Sequence, residues 1–114
     1  MMSIVIYGTN KCKVTQKAIR FFKERGINPQ FFDLRERSLS GGEAKKIYSF
    51  LGDDVLDKDS SVYKKRFAYY DAETEELIVE YPELIKTPVV KCGQRYSCGF
   101  DESSWKVFCE SVKV

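Results

Sequence analysis

The chain has 114 residues, 43% hydrophobic and 32% charged, which excludes a disordered segment and supplies enough apolar surface for one core but not for two. Nineteen Lys and Arg against seventeen Asp and Glu leave a net charge of +2 with the signs interspersed, so direct binding of DNA or RNA is not expected. The first residues enter an apolar strand pattern at once, so neither a signal peptide nor a membrane span is expected, and the chain reads as one soluble cytoplasmic domain over 1–114.

Residues 3–7 (Ser-Ile-Val-Ile-Tyr) are β-branched and aromatic and predict a strand, with Gly8-Thr9-Asn10 as the turn after it. Val14, Ala18, Phe21 and Phe22 fall at helical spacing up to Arg25, and Gly26 stands where a left-handed cap belongs. After Pro29, residues 30–34 form a second strand, parallel to the first through a right-handed crossover. Ser40-Gly-Gly-Glu43 reads as a capping box for a helix over 40–51, with Ile47, Phe50 and Leu51 on its apolar face. From Val55 to Ala68 the pattern weakens to a turn capped by Ser60 or Ser61 and carrying Val62, Tyr63 and Phe67. A short helix follows over 73–80, closed before Pro82.

Val89–Cys92 and Arg95–Cys98, separated by Gly93-Gln94, predict an antiparallel hairpin. Asp101 or Ser103 then starts a closing helix with Trp105, Phe108, Cys109 and Val112 on its buried face. The aromatic and basic stretch Tyr63, Lys64, Lys65, Arg66, Phe67, Tyr69, Tyr70 reads as a helix with one buried and one solvated face rather than as a nucleic-acid surface.

In a reducing compartment the four cysteines, Cys12, Cys92, Cys98 and Cys109, read as thiols rather than a disulfide framework. With no His and no Cys-x-x-Cys pair, no metal site is expected. Cys12 is set apart by its place at a strand-to-helix turn, between Lys11 and Lys13. Unpaired N–H groups, the helix dipole and two cations there all favour thiolate over thiol, and the same turn suits an oxyanion. The competing interpretation is a small residue at a cap. Thr87-Pro88 ahead of the hairpin is open to either a cis or an ordinary trans peptide on sequence alone.

The order β-α-β, helices, β-β-α, with a cysteine at the first turn and Thr-Pro before a hairpin, resembles the thioredoxin/glutaredoxin fold. More narrowly, Tyr7-Gly8-Thr9-Asn10-Lys11-Cys12 with Gln16-Lys17-Ala18, and Tyr81-Pro82-Glu83-Leu84-Ile85-Lys86-Thr87-Pro88-Val89-Val90 with Gly99-Phe100, are similar to the two ends of the ArsC/Spx (arsenate-reductase-like) family. The resemblance implies an α/β layered chain with a mixed sheet of about four strands and a helical insertion over about 35–86. It makes Cys12 the nucleophile, Thr15 its neighbour one turn on, and Pro88 a cis proline facing it. Asn10, Lys11, Lys13, Thr87 and Arg95 become candidate substrate contacts.

Two departures divide the functional expectation. Thr87 stands where the arsenate reductases of the family carry an oxyanion-binding arginine, which a hydroxyl cannot replace. Arg66 and Arg95 remain as candidate arginines. Thr15 stands where the Spx regulators carry the second cysteine of a redox switch. One expectation is therefore a thiol oxidoreductase whose Cys12 adduct is resolved by an external thiol, glutathione or a glutaredoxin, on arsenate or another substrate, with no bound cofactor. The alternative is a Spx-type transcriptional regulator that binds the RNA polymerase α subunit without a switch. Cys109 reads as core, and Cys98 or Cys92 either resolves an oxidised Cys12 or is an idle thiol.

Overall fold

A computed structural model of the chain describes residues 3–37, 39–57, 74–81 and 84–113. The elements run β1 (Ile4–Gly8), α1 (Lys13–Glu24), β2 (Gln30–Asp33), α2 (Gly41–Leu51), a 3-10 turn (Gly52–Val55), α3 (Thr74–Glu80), β3 (Val89–Cys92), β4 (Arg95–Cys98) and α4 (Glu102–Lys113). The four strands form one sheet in the order β2-β1-β3-β4, with β1 and β2 parallel and the other pairs antiparallel. This is the mixed sheet of a thioredoxin-like fold, and the expected elements depart from the observed ones by a residue or so at their ends. The turn, the aromatic and basic stretch and Arg66 fall within 58–73, outside the described residues, as does Pro82.

Local chemistry accounts for the element ends. At the close of α1, Gly26 adopts φ 77°, its N–H bonds to the Lys23 carbonyl and that of Ile27 to the Phe22 carbonyl, which is the Schellman arrangement. The Ser40 hydroxyl accepts from the Glu43 N–H and caps α2. The Glu43 carboxylate takes hydrogen bonds from the Ser40 hydroxyl and from the Tyr7 phenol (3.0 Å), tying α2 to β1. Gly93, at φ 62°, takes the first place of the two-residue hairpin turn, where a positive φ is required.

Alternation along the strands sorts side chains to two faces. Ile4 and Ile6 of β1 and Val90 and Cys92 of β3 join Ala18, Phe21 and Phe22 of α1 and Trp105, Phe108 and Cys109 of α4 in one core. Tyr7, Val89 and Tyr96 join Ala44 and Ile47 of α2, Leu77 and Ile78 of α3, and Val55, Leu84 and Ile85 in the other. The described part of the 35–86 segment thus covers one face of the sheet, while α1 and α4 cover the opposite one. Trp105 is fully buried against Phe21, with ring centroids 5.5 Å apart, and truncation there costs about 3–5 kcal/mol.

Phe50 departs from expectation. It is 54% exposed rather than buried, because Ala44 and Ile47 carry the inner face of α2 and Phe50 overhangs the edge strand β4, where its ring meets Tyr96. No helix among the described residues is long and apolar enough to cross a membrane.

Candidate active site

The site lies where β1 ends and β3 begins, strands brought together by the pairing of Tyr7 with Val89. After Gly8 the chain turns, with the Cys12 N–H bonded to the Thr9 carbonyl, and Cys12 becomes the N-cap of α1, its own carbonyl accepting from the Gln16 N–H. The Gln16 side-chain amide donates to the Asn10 carbonyl and braces the turn. Opposite stands Thr87, joined to the fully buried Pro88 by a cis peptide bond. The Thr87 hydroxyl donates to Cys12 Sγ at 3.1 Å, and the thiol in turn faces the Thr87 carbonyl at 4.0 Å. Residues 75 apart in sequence thus meet at one sulfur.

Thr15 completes the surroundings from the next turn of α1. It is fully buried, and its hydroxyl has no hydrogen-bond partner among the protein groups around it. It fits because Gly8 has no side chain, since a Cβ there would come within 2.6 Å of Thr15 Cγ2. Gly8 is therefore the last residue of a strand shaped for Thr15, not the first residue of a turn. A strand-end glycine seven residues ahead of a threonine carries no sequence signal for that contact.

These neighbours set the acidity of the thiol. Burial alone pushes the Cys12 pKa up, but hydroxyl groups of Thr15 and Thr87 and the backbone N–H groups of Thr15 and Val14 stabilise the anion more, and the net pKa is lowered. The buried Thr15 hydroxyl meets no acceptor in hydrogen-bond geometry, and it is the first among the groups favouring the anion, which offers that hydroxyl an acceptor. Lys11 and Lys13 extend into solvent, so the stabilisation comes from hydroxyls and helix N–H groups rather than from the cations the sequence suggested.

The remaining candidates fall elsewhere. Asn10 is exposed beside the turn. Arg95 pairs with Cys92 and Cys98 with Val89, so Arg95 lies at the turn end of the hairpin, opposite the end that carries Thr87 and Pro88. That register removes Arg95 from the neighbourhood of Cys12, because a three-residue offset along a strand is about 10 Å. Cys98 stands at the correct end of the sheet but on the face covered by α2 and α3, with its sulfur 3.3 Å from the Asp54 carbonyl. Cys92 and Cys109 are buried in the other core. No group of His, Cys, Asp and Glu among the described residues has the arrangement of a metal centre.

Comparison with known proteins bears on the whole of this architecture. The chain is 27% identical, over 94% of its length and 84% of the relative's, to global transcriptional regulator Spx 2 of Oceanobacillus iheyensis. Among solved structures it is similar to an arsenate reductase from Vibrio cholerae, with a TM-score of 0.79 and 26% identity over 94% of this chain and 98% of that one. It shares its fold with an arsenate reductase (ArsC) related protein from Brucella melitensis, at a TM-score of 0.70 and 20% identity over 92% of each chain. The ArsC family model matches residues 7–108, a span that takes in the end of β1, Cys12, the cis Pro88, the hairpin and the first half of α4, and this chain belongs to the ArsC family.

Proposed function

We propose that the protein is a thiol-dependent oxidoreductase similar to the glutaredoxin-dependent arsenate reductases, with the Cys12 thiolate as nucleophile. The observation that carries this reading is the Thr87 hydroxyl donating to Cys12 Sγ at 3.1 Å, at the start of α1, beside a thiol whose pKa is lowered. On a disulfide, Cys12 Sγ attacks one sulfur, the S–S bond breaks, the other sulfur leaves as a thiolate, and a mixed disulfide forms on Cys12. An external thiolate then attacks the outer sulfur of that mixed disulfide and releases Cys12 as thiolate, leaving a disulfide between the external thiol and the retained half of the substrate. A second external thiolate releases that half, so two thiols are oxidised to one disulfide as the substrate disulfide takes up two electrons. Glutathione or a glutaredoxin has the chemistry of that reductant.

Thr87 favours a sulfur substrate over arsenate. Its hydroxyl already donates to the sulfur, and as a neutral group it offers an oxyanion no bidentate charge. The deciding experiment is the pH dependence of Cys12 alkylation, with a Cys12→Ser control, followed by mass spectrometry after glutathione disulfide. A fast-reacting thiol that titrates below the free-cysteine value of about 8.5 and takes up one glutathione is the expected result. Cys12 reacting no faster than Cys98 would overturn the reading.

A second reading, a Spx-type regulator that binds the RNA polymerase α subunit, is favoured by the 27% identity to the Oceanobacillus iheyensis regulator. Thr15 cannot form a disulfide with Cys12, so such binding would not be switched by that pair. Retention of purified α subunit by wild type and Cys12→Ser alike would support it, and no retention by either would dismiss it.

A further inference from the structure

We propose that the chain binds a nucleoside phosphate in a cavity between α2 and the turn of the β3–β4 hairpin, at the opposite end of the sheet from Cys12. The cavity has a volume of about 670 Å³ and is lined by Lys45, Lys46, Ser49 and Phe50 of α2 and by Lys91, Gln94 and Tyr96 of the hairpin region, with Gly42 and Gly93 at its margins. That volume lies within the range of about 300–1,000 Å³ typical of small-molecule sites.

Three lysines line this space from two elements, and no Asp or Glu lines it among the described residues. None of the three lysines has a carboxylate partner among the described residues. Lys45 and Lys46 are exposed and stay hydrated. Lys91 is half-buried, in register with Tyr96 on one side and Val5 on the other, so its stem is covered by the sheet while its ammonium group belongs to the rim of the cavity. Gly42 lies in the first turn of α2, where the Glu43 N–H is already capped by the Ser40 hydroxyl and the Glu43 carboxylate is engaged by Ser40 and Tyr7, so the helix end itself is not part of the site. A Cβ at Gly42 would meet nothing within 4 Å, so the opening there is not enforced by packing.

The aromatic component distinguishes the ligand from a simple anion. Phe50 is 54% exposed, and its ring lies against Tyr96 with centroids 5.8 Å apart at 57°, leaving apolar ring surface beside the lysines. A phosphate alone would satisfy only the ammonium groups, and a free base only the rings. A molecule that carries two or more negative charges on a planar aromatic group uses both, and Ser49 and Gln94 add neutral hydrogen-bonding groups for a sugar. An acidic protein segment would meet the lysines too, but a cavity bounded by a helix and a hairpin suits a compact molecule better than an extended chain.

The test is a titration of the ¹⁵N-labelled full chain with ADP at low salt, beside pyrophosphate and adenosine, read by amide chemical shifts. The expected result is saturable shifts at Ser49, Phe50, Gly93 and Gln94 with a midpoint on the order of 0.1–1 mM, and weaker binding of either half alone. Lys91→Met should weaken ADP binding about tenfold, the loss of one charge-assisted hydrogen bond. Lys46→Met, at an exposed position that does not affect packing, should weaken it by a smaller factor. Absence of shifts at these amides, equal response to pyrophosphate and ADP, or unchanged affinity in both variants would overturn the proposal. Because the reporting amides lie at the other end of the sheet, this outcome is independent of whether Cys12 proves reactive.

Discussion

Two half-buried thiols lie at the same end of one sheet, and their acidities move in opposite directions. Around Cys12, burial is outweighed by the hydroxyls of Thr15 and Thr87 and by helix N–H groups, and the pKa falls. Around Cys98, burial acts first, Lys86 opposes it, and Asp54 and Asp101 add to it, so the pKa rises. Cys98 even has a lysine where Cys12 has none among its stabilising groups. What separates the two is the supply of aligned hydrogen-bond donors at the sulfur; Cys98 Sγ instead faces the carbonyl oxygen of Asp54, a group that repels an anion.

The largest expected effect comes from exchanging the sulfurs themselves. Cys12→Ser should abolish fast alkylation and any mixed-disulfide formation, while Cys98→Ser should leave both near wild type. If Cys98→Ser instead accelerates accumulation of the Cys12 adduct, Cys98 resolves Cys12 after all, and the separation of the two faces is bridged by a movement of the chain. Second in size is Gly8→Ala, which forces Thr15 away from its place and should lower stability by about 1–3 kcal/mol, read as the denaturation midpoint. Its alkylation rate at neutral pH should fall as well, because Thr15 then no longer stabilises the anion.

Thr87→Val tests the donor argument with little change of shape. Removing the hydroxyl should raise the Cys12 pKa and slow alkylation at pH 7 by a few-fold to about tenfold, with the denaturation midpoint little changed. Substitution of Lys13 by Met should do much less, since that side chain extends into solvent. The reverse ranking would return the stabilisation to the cations.

The smallest effect, and the sharpest in sign, is in stability against pH. The folded Cys12 pKa is depressed, so its contribution is fully present above the unfolded value of about 8.5 and is lost as pH falls through the folded pKa. The folded Cys98 pKa is raised, so its contribution is present below about 8.5 and lost as pH rises through the folded pKa. Denaturant midpoints measured from pH 5 to 10 should therefore lose part of their rising limb in Cys12→Ser and part of their falling limb in Cys98→Ser.

Much of this was legible before folding was considered. The β-branched and aromatic run Ile4-Val5-Ile6-Tyr7, the Gly26 cap, the Ser40 cap and the Gly93-Gln94 hairpin are local, and each rests on atoms a few residues apart. Cys12 at the strand-to-helix turn was legible for the same reason. The cis peptide before Pro88 was indicated only by resemblance, since sequence alone left both isomers open. Phe50 misled the periodicity argument because a helix pattern shows which residues share a face, but not where the sheet beneath it ends.

The sequence by itself determined the elements, their order and the one cysteine worth testing, because propensity, capping and turn chemistry act over a few residues. Only the tertiary structure decided which groups surround that cysteine. It brought Thr87 to the sulfur across 75 residues, left Gly8 bare for Thr15, carried Arg95 to the far end of the hairpin and turned Cys98 to the other face of the sheet. Those outcomes depend on strand register and on the two faces of a sheet, where a shift of one residue reverses every side chain, and no local pattern records that choice.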